Sequence, residues 1–216
     1  LLSLLVFLFQ AHGDTRGLQP SIRRQRPMCI RGSPYTASST VLSAYRNFEA
    51  KKVLITWSET MPEYAGRELS EIAKELGMSE KEAVEALNPG GGIFFMMDEE
   101  DVQRILAFPQ TMIGSDGLPS DTHPHPRLWG TFPRVLGHYV REVKLFSLEE
   151  AVRKMTSLPA ACFGLKERGI LKPGNYADLV IFDPDTIVDS ATFDDPVRPA
   201  QGIEQVMVNG RVVWKD

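Results

Sequence analysis

Residues Met112 to Gly130 read MIGSDGLPSDTHPHPRLWG: a short apolar run that stops at an acid, followed by a dense polar segment. Thr111, Met112 and Ile113 suit a short buried strand, and Gly114-Ser115-Asp116-Gly117 breaks it with residues that tolerate sharp turns. Asp116 is therefore expected at the C-terminal end of a strand. In parallel α/β folds that end is where loops gather catalytic groups on a rigid base. By itself GSDG also fits an Asx-turn or a helix N-cap. Arg127, a few residues on, suits a bidentate clamp on a carboxylate, and equally a loop ion pair. Between them His123-Pro124-His125-Pro126 has the His-x-His spacing of a metal pair. The flanking prolines fix an extended loop, however, and favour loop packing or substrate contact over ligation.

Upstream, Ile93-Phe94-Phe95-Met96-Met97 is a continuous apolar run of the kind covered on both faces of a sheet. Asp98 is placed to cap a helix through Val102, Ile105 and Leu106, which Pro109 ends before the Met112 strand. Strand, helix and strand at this spacing predict a right-handed βαβ unit and a parallel sheet. Gly90-Gly91-Gly92 lacks both GxGxxG and a following Lys-Ser/Thr, so it carries no phosphate-binding signature.

Further upstream, Lys51 to Thr56 predicts a strand. Leu69, Ile72, Ala73 and Leu76 give a helical period ended by Gly77, and Ser79-x-x-Glu82 is a capping-box pattern before a second short helix. The pair reads as an inserted lid over about 42–92. Pro34-Tyr35-Thr36-Ala37-Ser38-Ser39-Thr40 reads as a strand end turning into a loop. There Tyr35 can either meet a substrate or pack with its hydroxyl satisfied.

Downstream, Trp129 to Val140 is a helix or an irregular stretch. Ser147 opens a helix with a capping-box partner at Glu150, and Pro159 interrupts it. From Leu171 the pattern turns to strands: Ala177 to Asp183, then Val206 to Trp214 as a hairpin on Asn209-Gly210. The organisation expected is an N-terminal segment over 1–33, an α/β region over 34–168 and β-strands over 169–216.

The composition of the 216 residues, 43% hydrophobic and 24% charged, is that of a globular protein with a sizeable core. A net charge of −4 offers no basic field, so nucleic acid is not an expected partner. Leu1 to Phe9 is intensely apolar but far short of the ~20 residues that span a bilayer. A signal-peptide core, a buried strand and an accident of where the sequence begins all fit it. Asp14 to Ser33 has no period and reads as loop or disorder. Cys29 and Cys162 match no CxxC spacing; they suggest neither a disulfide framework nor a zinc knuckle and suit a reducing, cytoplasmic setting, although a single bridge between them remains open.

Two motifs carry a family resemblance. Met112-Ile113-Gly114-Ser115-Asp116-Gly117 with His123-Pro124-His125-Pro126-Arg127 resembles the N-acyl-D-amino-acid deacylase (D-aminoacylase) family of the amidohydrolase superfamily. Gly169-Ile170-Leu171-Lys172-Pro173-Gly174-Asn175-Tyr176-Ala177-Asp178-Leu179-Val180 resembles the superfamily's return to a small β-domain. The resemblance covers roughly Tyr35 to Asp216. It implies the last few βα units of a (β/α)8 barrel with an inserted lid, plus strands of a small β-sandwich. It also implies hydrolysis of the amide of an N-acyl-D-amino acid by a zinc-activated water. Asp116 is then the acid that moves the proton, and a possible metal ligand, while Arg127 and Tyr35 hold the substrate's carboxylate. The family's other zinc ligands have no counterpart among the matched residues, so the resemblance implies a piece of such an enzyme. The alternative expectation is an inactive product that associates with another chain through open barrel edges. A dihydroorotase-like or urease-like amidohydrolase is a third reading, which the HPHPR loop disfavours.

Overall fold

The computed structural model describes residues 3–5, 30–47 and 49–216. His12, Cys29 and most of Asp14 to Ser33 lie outside the described residues. Ser3–Leu5 (β1) is a strand paired antiparallel with a strand far along the chain, Leu179–Phe182. Of the open readings of the first nine residues, the strand describes these three.

Ile30–Gly32 (β2) is followed by a bend, and Ala37–Val41 (β3) begins a new strand. The expected strand end at Pro34 to Thr40 is therefore corrected. The strand ends at Gly32, and Pro34 and Tyr35 make the turn into the next one.

β3 belongs to a three-stranded antiparallel sheet with Lys52–Ser58 (β4) and Gly90–Phe95 (β5), in the order β3-β5-β4. Leu69–Leu76 (α1) and Glu80–Leu87 (α2) lie between β4 and β5 in the chain. α1 ends on Gly77 at φ 66°, and α2 begins with the full capping box between Ser79 and Glu82. The period of two divides this sheet's side chains. Val53, Ile55 and Phe94 join Ile72, Val84 and Leu87 in one core, while Leu54 and Ile93 join Ala37 on the opposite face. The inserted sheet thus takes in residues on both sides of 42–92.

Glu99–Ala107 (α3) leads to Thr111–Ile113 (β6), which pairs parallel with β2. The expected βαβ unit through Ile93 to Met97 is therefore wrong in its first strand, because β5 and β6 lie in different sheets. The middle strand of a small antiparallel sheet is covered on both faces, and so reads as apolar as a parallel strand. The glycines serve close packing: a side chain on Gly91 would run into Trp57, where β4 carries a bulge. The parallel neighbour of β6 is β2, and the inserted sheet interrupts the crossover between them. Asp98 sits at the N-cap of α3 but makes no capping bond, its carboxylate pairing instead with Lys51 at 2.8 Å.

Arg127–Arg134 (α4) runs into a π-helical segment, Val135–Glu142. Pro133 lies inside α4 and has no N–H to give, and the wider turn follows it directly. Leu148–Met155 (α5) is capped by the Ser147 hydroxyl, which accepts from the Glu150 N–H. Glu150 does not complete a capping box, since its carboxylate pairs with Arg153 at 2.7 Å. The break after α5 falls at Thr156, and Pro159 lies within Ser157–Phe163 (α6). Cys162 in α6 is disulfide-bonded, the outcome the sequence had left open beside its mild lean to a reducing setting.

Leu179–Phe182 (β7), Ile203–Val208 (β8) and Arg211–Lys215 (β9) form an antiparallel sheet in the order β1-β7-β8-β9. The β8–β9 hairpin turns on Asn209 and Gly210, at φ 50° and 76°. Val180 and Phe182 of β7 share a core with Leu106, Ile113, Leu136, Tyr139 and Met155. The strand end that carries Asp116 is thus packed from beneath by α3, α5 and the C-terminal sheet. Among the described residues no helix is long and apolar enough to cross a membrane.

Candidate functional site

Asp116 follows β6 in the left-handed region, at φ 51°, a conformation that Asp tolerates better than most residues. Gly117 lets the loop close on α4, since a Cβ there would lie 2.8 Å from the Leu128 Cα. The turn presents the carboxylate to the first residue of α4. Arg127 Nη2 donates to Asp116 Oδ2 at 2.9 Å, with the arginine side chain 5% exposed and the aspartate 50%. A buried cation thus fixes a carboxylate that is half open to solvent. Such an acid can exchange protons with a bound molecule while its orientation is held.

His125 sets the start of α4. Its Nδ1 accepts from the Arg127 backbone N–H at 3.0 Å, so the proton sits on Nε2, which donates to the Ala37 carbonyl at 3.1 Å. Burial, then the charge of Arg127, pushes its pKa down to about 3, and the ring is neutral. With both nitrogens taken by backbone groups, no lone pair is left for a metal. His123 is also a tie: its N–H donates to Thr56 O at 2.9 Å, and its Nε2 meets Phe193 O at 2.7 Å. The two histidines staple the inserted sheet and the C-terminal segment to the loop.

Tyr35 lies beside this loop, its ring edge-on to His125 at 5.1 Å between centroids. Its hydroxyl is buried without a hydrogen-bond partner among the described residues and lies against Gly130 in α4. Burial, and then the nearby Asp189, raises its pKa well above the ordinary phenol value. Asp116 and Arg127 are therefore joined directly, while Tyr35 reaches them through the His125 ring.

Several residues around these were not singled out in the sequence. Arg134, two turns beyond Arg127, donates from Nε to the Pro34 carbonyl at 2.9 Å and from Nη1 to Asp189 at 3.3 Å. Arg141, seven further on, donates to the carbonyls of Pro184 and Ile187 at 3.1 and 2.7 Å. Arginines at a spacing of seven along a helical stretch were the available signal. Asp189 and Phe193 had none, because they arrive from a segment remote in sequence. Phe193 packs 5.2 Å from His125 and 6.3 Å from Tyr35, centroid to centroid.

Among the described residues no group of three or more His, Cys, Asp or Glu could hold a metal ion. Asp116 is at most one ligand, with one oxygen already on Arg127.

Comparison with known proteins places this geometry. Residues 54–214 match the model of the Amidohydrolase family. A D-aminoacylase of Alcaligenes xylosoxydans xylosoxydans is 58% identical over 203 residues, 94% of this chain and 42% of that protein. The crystal structure of N-acyl-D-glutamate deacylase from Bordetella bronchiseptica, complexed with zinc and a phosphonate inhibitor, aligns with a TM-score of 0.84 at 50% identity. That alignment covers 86% of this chain and 39% of that one. A D-aminoacylase structure described for its binuclear metal center aligns at 0.83 with 61% identity, over 85% and 39% of the two chains. This chain thus spans less than half the length of the relatives it matches.

Proposed function

Because the chain belongs to the amidohydrolase family, we propose that it forms part of a metal-dependent hydrolase that deacylates N-acyl-D-amino acids, and that it carries the acid and the carboxylate-binding residues of that site. The observation that carries this reading is the Asp116–Arg127 pair at the end of a parallel strand. On this reading residues 34–168 hold late units of a (β/α)8 barrel, β6 with α3 to α5, and β2, just before that stretch, is the parallel strand beside β6. The sheet β3-β5-β4 with α1 and α2 is a lid inserted into it. Residues 169–216, with β1, contribute strands of a small β-sandwich, and the remainder of 1–33, β2 apart, is a separate N-terminal segment.

Hydrolysis of the amide requires water to add to the acyl carbon, the C–N bond to break and a proton to reach the departing nitrogen. Asp116 takes the proton from the attacking water and delivers it to that nitrogen, giving a carboxylic acid and a free D-amino acid. Arg127, whose fork matches a carboxylate, holds the substrate's α-carboxylate, with Tyr35 beside it. Zinc, as in the deacylase complex above, would supply an activated water. The described residues do not form its site by themselves, offering Asp116 alone.

The test is release of free amine from N-acetyl-D-methionine and its L-enantiomer, with zinc, by the wild type and Asp116→Asn. Release from the D-form alone, lost in the variant, supports the reading; release unaffected by the variant overturns it. A second reading, association with another chain, is favoured by β9, an edge strand with Val212, Val213 and Trp214 all exposed. Sedimentation of the chain across a range of concentrations tests it: a monomer throughout overturns self-association.

A further inference from the structure

Tyr35 stands at the bend between β2 and β3, and among the described residues no hydrogen bond to its hydroxyl fixes the ring's polar end. Its position depends on what holds the backbone at Pro34 and what lies against the ring. One side chain does both. Arg134 Nε bonds the Pro34 carbonyl at 2.9 Å, and its guanidinium carbon lies 5.1 Å from the Tyr35 ring centroid and 5.9 Å from that of Tyr139. The planar fork suits this double task, since one edge donates while the face lies on aromatic rings. Asp189 Oδ2, at 3.3 Å from Nη1, holds the far side of the guanidinium. Arg127 and Arg134 are the first and last residues of α4. One helix therefore sets both the cation on Asp116 and the support of Tyr35.

We infer that Arg134 is a positioning residue, one that places Tyr35 for the substrate carboxylate without touching the substrate itself. The inference rests on the substrate-binding reading of Tyr35 and Arg127. It identifies the Arg134–Asp189 pair as a means, beside the packing of Phe193, by which the C-terminal segment acts on the site. A lysine at 134 would keep the charge but lose the Nε bond and the planar stack, so it is not an adequate substitute.

The test uses the full chain with 13C-labelled tyrosine, the Tyr35 signal being assigned with Tyr35→Phe. Arg134→Lys and Arg134→Gln are each expected to move that signal, whereas Arg141→Lys, at an arginine that bonds the carbonyls of Pro184 and Ile187, leaves it in place. Affinity for N-acetyl-D-methionine falls about tenfold in both Arg134 variants, the scale of one charge-assisted hydrogen bond, while N-acetyl-D-methioninamide, lacking the carboxylate, binds as before. Asp189→Asn moves the Tyr35 signal in the same direction by less, and serves if the Arg134 variants do not fold. A Tyr35 signal unchanged in Arg134→Gln overturns the inference; so does a shifted signal with no selective loss of the acid. If the wild type binds neither ligand, the substrate reading of the Asp116–Arg127 site fails instead. The Tyr35 signal then decides by itself whether Arg134 holds the ring.

Discussion

Gly130 lies so close to Tyr35 that a Cβ on it would sit 2.5 Å from the phenolic oxygen. In an ordinary helix, replacing Gly by Ala stabilises by up to ~1 kcal/mol. Here the sign reverses. Gly130→Ala is expected to destabilise by about 1–3 kcal/mol, as overpacking does. Tyr35→Phe in the same chain removes the offending oxygen and restores most of the loss. Urea denaturation of the two single variants and the double variant reads this coupling, and additivity would show that the contact is not what limits residue 130.

In the complete enzyme of which this chain is proposed to form part, the Asp116–Arg127 pair predicts different kinetic signatures for its two members. Asp116→Asn lowers turnover of N-acyl-D-amino acid by about 10²–10⁴-fold with little change in KM. Arg127→Lys raises KM for carboxylate substrates and also lowers kcat, because the same guanidinium orients the Asp116 carboxylate. An unchanged KM in Arg127→Lys would remove Arg127 from the substrate site.

His125 gives the fold a dependence on acid. Its pKa, about 3 in the folded chain and near 6.5 when exposed, means that the unfolded state takes up a proton first as pH falls. Its contribution to stability is complete above 6.5 and declines between 6.5 and 3, by up to about 1.4 kcal/mol per pH unit. His125→Asn loses the bond to Ala37 and is less stable at neutral pH. The gap to the wild type should narrow as pH drops through this window, and a constant gap in denaturant titrations would count against a buried neutral ring.

Asp178, 4% exposed, accepts from the Asn209 N–H at 2.8 Å and pairs with Arg168, tying the strand β7 to the final hairpin. Asp178→Ala removes the acceptor of the Asn209 N–H and leaves Arg168 with its bond to Asn209 Oδ1, at a cost of about 1–2 kcal/mol. Faster exchange of the Asn209 and Gly210 amides would report the loosened turn.

Asp116 was legible because a three-residue apolar strand broken by GSDG is a local signal, and Arg127 because it stands near that acid. The capping box at Ser79 and the Asn209-Gly210 hairpin were legible for the same reason: each is set by a few neighbouring residues. β5 was misplaced because periodicity reports that a strand is covered on both faces, not what covers it. The surroundings of Tyr35 could not be read at all. They are assembled from Gly130 and Arg134 on one helix and from Asp189 and Phe193 on a remote segment. No spacing rule links those positions.

The pairing of Ala37 with Phe95 brings the two ends of the inserted sheet side by side. To the strands β2 and β6, everything between those two residues therefore acts as a connection with its ends already joined. The entropy of closing the parallel pair does not grow with the length of the insert, provided the insert folds first. Turns at its far end can lengthen or shorten, as at the tip of any surface loop, while the register that sets Asp116 stays fixed. The chain can thus revise the insert without rebuilding the strand that holds its acid.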